Sequence, residues 1–408
     1  MKVVTKVLKK ILKIAVIVVV SIVLLICLAD AAWVYIPQIK AARKVEDVAN
    51  YQKKISEITV PTGTRIVALG EASHGNAEFQ ELKLSVFQQL VKNTDIRAFA
   101  LEADYGDGVL VNQYIHSEGP CNSAEEAVAN LSFRIYQTEQ MVELVSWMKQ
   151  YNDTAAAEDQ LSFYGFDIQN PEANSSLVED FCIRVGLETD LSDVNSIYEK
   201  LSGSPEVYEE EPDYKSVLVS CKGLLHTQEL ETIDISNFIE CSNFRDAAMA
   251  DMVGEILAIE EAKGHEGIMI SGHNGHVSTQ GLYYKSMGES LGERYADAYF
   301  VIGTDYYKTT CNINNSDTDV RGDYKFCSAD PLAYQAKYYG GQYYLNFADV
   351  QEGATKDLID GTISTGSLGE AYTTLMKFVP TSHRVVTNVQ SNYDAMILVY
   401  QATPTNPE

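Results

Sequence analysis

Seven histidines occur in this chain, and three of them stand in short, glycine-bracketed segments. In "GEASHG" (70–75), Glu71 and His74 follow directly on the apolar run "RIVAL" (65–69). His273 and His276 share "SGHNGH" (271–276). Two more segments end apolar runs with acids: "ALEAD" (100–104) with Glu102 and Asp104, and "YGFD" (164–167) with Asp167. Packing requires none of these groups. An imidazole with a pKa of about 6.5 can take a proton from water at neutral pH, and a carboxylate partner fixes its tautomer and raises its basicity. Water activated in this way can attack an ester carbonyl, with a second, protonated histidine or a nearby lysine stabilising the oxyanion. Histidine and glutamate are also good zinc ligands, and a bound metal would generate hydroxide itself. No HExxH occurs, so the metal reading lacks a specific spacing and is not favoured. Both routes end in hydrolysis.

Some of these residues also admit plain structural roles. Asp104 and Asp167 can cap the helices that follow them. His116, His226, His265 and His383 have no glycine-rich setting and read as ordinary core or surface residues. The stretch "GESLG" (288–292) matches G-x-S-x-G, but a strand must precede such a serine, and here the next strand-like run begins only near 298. Ser290 is therefore not expected to be a nucleophile. A silent surface protein that binds a small molecule is the reading from outside enzymology.

The elements that must position these groups alternate along the chain. Strand-like runs stand at 65–69, 97–101, 161–165, 267–271 and 298–302, with later ones at 342–347 and 394–400. Helical patterns lie near 77–92, 106–116 and 136–151, and a long helical block runs from about 173 to 263. Its acidic stretch "SPEVYEEEPDY" (204–214) reads as a solvated loop. Alternation of this kind predicts an α/β fold with a central, mostly parallel sheet flanked by helices, here carrying a helical insert. Ligands of such sheets bind beyond the carboxyl ends of the strands. Four of the expected strands deliver carboxylates or imidazoles there, and that agreement is the strongest signal in the sequence.

Composition limits the partners. The 408 residues carry a net charge of −26, which repels phosphate backbones and argues against nucleic acid. Five lysines precede residue 14, residues 14–29 carry no charge, and Trp33 and Tyr35 follow. About 20 apolar residues cross a bilayer, and basic residues before with aromatics after suit an inside-to-outside anchor. The expected organisation is a basic cytoplasmic end (1–13), a transmembrane helix (14–36), a charged helical stalk (37–60) and a domain outside the cytoplasm (61–408). A signal peptide cut after "ADA" (29–31), releasing a secreted protein, is the alternative. Outside the apolar segment six cysteines permit up to three disulfides, and Cys311 with Cys327 is the expected pair on proximity.

Seven separate stretches carry a family resemblance: "GEASHGNAEF" (70–79), "ALEAD" (100–104), "SWMKQYN" (146–152), "FYGFD" (163–167), "NFRDAAMADMV" (243–253), "SGHNGHVS" (271–278) and "MGESLGERYADAYFVIG" (287–303). In order and spacing the chain resembles erythromycin esterase family proteins from about residue 60 to 400. The resemblance implies a hydrolase of carboxylic esters, macrolactones among them, in which His74 is the general base for water without a covalent intermediate, an essential metal or another cofactor. It implies that Glu71 and Glu102 hold and polarise the site, that His273 and His276 line the same cleft, and that Arg245-Asp246 opens a helix beside it. Where the resistance esterases carry an arginine, this chain has Lys83, which keeps the charge but loses the two-pronged grip on a carboxylate or carbonyl. Lys83, Arg245, Asp246 and Asp167 are the expected substrate-binding residues. The export signal is a second departure, and an ester other than a macrolide is the favoured expectation.

Overall fold

Val67 and Leu69 face one layer of the core while Ile66 and Ala68 face the other, which is why this run contains no polar residue. A strand covered on both faces must be apolar at every position. The computed structural model describes residues 2–407. The N-terminal helix α1 (Lys2–Ala41) leads to β1 (Ile66–Glu71), α2 (Ala77–Asn93), β2 (Ile96–Asp104), α3 (Tyr105–Ile115), α4 (Ala124–Val128), α5 (Glu139–Asn152) and β3 (Ser162–Asp167). Five helices follow: α6 (Glu172–Val185), α7 (Val194–Ser202), α8 (Pro205–Tyr208), α9 (Tyr214–Leu230) and α10 (Phe238–Lys263). The chain continues through β4 (Gly267–His273), α11 (Asn274–Val277), α12 (Met287–Tyr295), β5 (Tyr299–Asn315) and β6 (Val320–Cys327). It ends with β7 (Gln342–Asn346), β8 (Ile363–Gly366), β9 (Ala371–Tyr372), β10 (Arg384–Thr387) and β11 (Ala395–Ala402).

The main sheet has the order β3-β2-β4-β1-β5-β11-β7. Its strands are parallel from β3 to β11, and β7 and β6 add antiparallel edges. The expected mostly parallel α/β architecture is therefore observed. From β1 the chain crosses over β4 to reach β2, and from β4 it crosses over β1 to reach β5. The two connections leave in opposite directions, so the adjacent carboxyl ends of β1 and β4 open a crevice where open α/β sheets bind ligands. In the register Glu71 stands directly beside His273.

Helices α2, α3 and α5 cover one face with Phe79, Val86, Leu90, Val111, Leu144 and Met148. Helix α10 covers the other face with Met249, Met252, Val253 and Ile256. It is stopped by Gly264, whose φ of 100° is left-handed and suits a residue without Cβ. The insert expected over 173–263 is these five helices, and α6, α7 and α9 close a small core of their own around Phe181, Leu201 and Val217.

Two expectations require correction, and four strands come in addition. The stalk is not one helix: α1 ends at Ala41, single 3₁₀ turns follow at Glu46–Asn50 and Ile55–Glu57, and Val48 and Ile58 are buried against the body. Strands β6, β8, β9 and β10 are not among those expected: β6 folds back on β5 as a hairpin, β8 pairs with β10 in a separate two-stranded sheet, and the two-residue β9 joins the distant β5. Cys311 and Cys327 are free thiols, as is every other cysteine. Cys311 lies opposite Tyr324 while Cys327 lies opposite Lys308, so the two are about 10 Å apart along the strands and face different core layers. A disulfide needs Cα atoms within about 7 Å.

Candidate active site

The loop after β1 is fixed by backbone contacts that leave no room for side chains. A Cβ on Gly70, at the end of β1, would collide with the Asn274 side-chain Oδ1, and one on Gly75 would meet the Asn312 backbone carbonyl oxygen at 2.5 Å. Asn274 Nδ2 donates to the Thr304 carbonyl at 2.7 Å, and Ala72 N–H donates to Thr304 Oγ1 at 3.0 Å. Loop 72–76 is thereby clamped between β4 and β5, and His74 is presented from a rigid support.

The expected residues come together. His74 Nδ1 lies 2.8 Å from Glu71 Oε1, and Glu71 Oε2 accepts from Lys83 Nζ at 2.8 Å. The His74 and His273 ring centroids are 5.2 Å apart, and those of His273 and His276 are 6.3 Å apart. Glu102 accepts from the His273 backbone N–H at 2.7 Å and from Arg245 Nη2 at 3.0 Å, and lies 3.4 Å from His276 Nε2. Arg245 also holds Asp167, through Nε at 2.9 Å and Nη2 at 2.6 Å. Asp246 meets His276 Nδ1 at 2.9 Å and accepts from the first N–H of α12, that of Met287, at 2.8 Å. A cavity of about 380 Å³ borders His273 and is walled by Tyr283, Tyr284, Ser382 and Arg384.

Several of these residues stand elsewhere than on a substrate. Lys83 is 1% exposed and points at Glu71 and Gln80 Oε1, on the far side of Glu71 from solvent. Asp167 is fully buried on Arg245, Ile168 N–H and Gln169. Asp104 occupies the N-cap position of α3 without making a cap bond, and its carboxylate accepts from the Asn170 N–H at 2.9 Å. Ser290 lies inside α12 and not at a strand-to-helix turn. Among the described residues, no three His, Cys, Asp or Glu side chains are placed to share a metal ion.

The charges are strongly mutual. Burial works to raise the Glu71 pKa, but Lys83 and then His74 hold it down to about 2. Burial opposes charge on His74, yet Glu71 raises its pKa above the ordinary value. His276 is likewise raised, against its burial, by Glu102 and Asp246. His273 goes the other way: burial, then the charges of His74 and His276, push it down to about 3. His273 is thus neutral at working pH. Its Nδ1 accepts the Gly275 N–H at 3.1 Å, so the ring proton resides on Nε2. That Nε2 is buried with no hydrogen-bond partner among the described residues.

The chain matches the family model described as erythromycin esterase over residues 91–233 and 217–402. The chain belongs to the erythromycin esterase family. It is 29% identical to erythromycin esterase type II of Escherichia coli over 122 residues, 29% of this chain and 28% of that protein. Against erythromycin esterase type I of the same organism it is 27% identical over 112 residues, 28% of this chain and 26% of that protein. The aligned stretches thus span little more than a quarter of these relatives' own length. A crystal structure of a Bacillus cereus protein superposes with a TM-score of 0.73 at 18% identity, over 91% of this chain and 99% of the other. A mutant of erythromycin esterase EreC in its open conformation gives 0.56 at 16% identity, over 85% and 92%. A succinoglycan biosynthesis protein gives 0.67 at 16% identity, over 91% and 99%. These likenesses in three dimensions show the family's fold in this chain.

Two members of the site were not legible in the sequence. Tyr136 donates its hydroxyl to Glu71 Oε1 at 3.2 Å, and nothing in "FRIYQTE" (133–139) marks it. Gln80 Nε2 lies 3.2 Å from Glu71 Oε2, and its spacing one turn before Lys83 could have placed it on the same face of α2. His265 is a core residue as read: it pairs with buried Glu260 at 2.6 Å and with the Glu158 carbonyl at 2.9 Å. Gly272 provides a test of the close packing, because a Cβ there would stand 2.8 Å from Glu102 Oε2. Gly272→Ala should displace that carboxylate and lower kcat/KM by up to about 10²-fold, with the melting temperature measured alongside.

Proposed function

We propose that this protein hydrolyses a carboxylic ester, using His74 to deprotonate water and no resident metal or cofactor. One observation carries the reading: the His74 and His273 rings lie side by side, 5.2 Å between centroids, one made more basic by Glu71 and the other neutral with a buried Nε2 that has no partner among the described residues. His74 Nδ1–H is held by Glu71, so Nε2 is the nitrogen that accepts the proton from water. Attack on the carbonyl carbon develops negative charge on its oxygen, and His273 Nε2–H is the donor without another task. The proton collected on His74 then passes to the leaving alkoxide. Lys83 and Tyr136 act through Glu71, and Arg245, Asp167 and Asp246 act through Glu102 and His276; these are positioning residues. The substrate is a small-molecule ester, macrolactones included, and family membership supports hydrolysis at this level.

We also read α1 as an uncleaved anchor that holds the domain outside the cytoplasm. Its apolar stretch has a mean hydropathy of 3.2 and no protein cover. The "ADAA" stretch is helical, and from Asp30 onward the helix begins to lie against the body. The test of the reaction is a panel of aryl esters and macrolides with the full chain in detergent. Hydrolysis of one member should rise with pH through a single ionisation above 6.5, because His74 must be neutral to act and Glu71 raises its pKa. Prior dialysis against chelator should leave that rate unchanged. A panel without turnover, or activity abolished by chelator and restored by metal, overturns the reading.

A further inference from the structure

The wall of the cavity beside His273 is also the seat of helix α1. Arg384, 7% exposed, donates from Nη1 to the Val34 carbonyl at 3.1 Å and from Nε to the Cys327 carbonyl at 2.6 Å. Tyr307 Oη adds a bond to the Gln38 carbonyl at 3.0 Å. Val34, Tyr35 and Gln38 border a second cavity of about 560 Å³ together with Met376, Lys377 and Arg384. Arg384 thus belongs to both cavities, and Thr381, Ser382, Val385 and Thr387 of the same segment line the first one beside His273.

With α1 as the anchor read above, this joint sets the cleft's height above the membrane, and the charge at Asp30 with the body contact that begins there ends the span at Ala29 instead of the expected 36. The uncharged stretch of α1 ends at Ala29, and Val34 lies about 7 Å further along the helix axis. The headgroup layer on each side of a bilayer is itself about 5–8 Å thick. Segment 374–387 therefore stands at headgroup depth. It carries Leu375, Phe378 and Val386, which are 65%, 54% and 70% exposed and line neither cavity. Trp33 and Tyr35 are also exposed, at the level where aromatic belts sit. In a chain of net charge −26, the second cavity gathers Lys308, Lys325, Lys377 and Arg384. Exposed apolar residues bordered by a basic cluster suit an anionic lipid surface.

We propose that the catalytic cleft opens onto the bilayer and takes its ester from it: an amphiphile whose apolar chain remains among the lipids while its ester linkage enters past Arg384 towards His273. This rests on the esterase and anchor readings above. The substrate class follows from the geometry, since an amphiphile reaches this opening by lateral diffusion and need not leave the membrane entirely.

The test uses the full chain in vesicles of phosphatidylcholine and phosphatidylglycerol. Phe378→Trp should gain fluorescence that is quenched by lipids brominated near the carbonyl, beyond any quenching of the parent protein. Leu375→Ser with Phe378→Ser should lower kcat/KM on umbelliferyl oleate at least tenfold and leave umbelliferyl acetate unchanged. Absence of the added quenching overturns the inference whatever the esters do, and so does an equal effect of the double variant on both esters. Failure of the esterase reading is separate, because neither ester then turns over in any variant. Failure of the anchor reading is separate too, because the purified chain then has the mass of a cleaved product.

Discussion

Replacing His74 with alanine should lower kcat/KM on any ester the protein cleaves by about 10²–10⁴-fold, the range that a positioned general base contributes. The fold should survive, because Glu71 keeps Lys83, Gln80 and Tyr136 as partners after the imidazole is gone. Circular dichroism and a thermal melt check that half of the expectation. The residual rate of the variant should no longer carry the ionisation seen in the parent, since the group that titrates has been removed. Full activity in His74→Ala would exclude it as the base.

Glu71→Ala should be severe for a different reason. Lys83 is buried and loses its only charged partner among the described residues, and breaking one half of a buried pair costs about 3–5 kcal/mol. Urea denaturation measures that loss directly. Combining Glu71→Gln with Lys83→Met removes both charges and should recover most of the stability, while activity stays low because the amide can still accept from His74 Nδ1–H but no longer raises its basicity. The comparison of parent and Glu71→Gln should also depend on pH in a stated direction. Glu71 is held at about 2 in the folded state, below its value of about 4.3 in an unfolded chain. Its stabilising contribution is present above the unfolded value and is lost as pH falls from there towards about 2. The gap between the two proteins should therefore close across that acid window.

Much of this site could be read from strand ends. β1, β2, β3 and β4 each close an apolar run with Glu71, Glu102, Asp167 or His273, and the rule that parallel sheets bind at their carboxyl edge placed those groups together. Which of them face the cleft was not legible. Lys83 and Asp167 carry the right charge for substrate, yet both point inward, because their direction depends on Glu71 and Arg245 arriving from other elements. The same limit hid Tyr136, which reaches Glu71 from a connection with no periodic pattern. It also misled the expected disulfide. Sequence proximity on a hairpin says nothing of register, and Cys311 and Cys327 are separated by both register and face.

The pairing of β1 with β4 joins residues that stand about two hundred positions apart in the sequence. During synthesis the base histidine emerges long before the donor that completes its pocket, and the intervening insert must be made first. A chain that works through this pocket is consequently inert until its second half has left the ribosome.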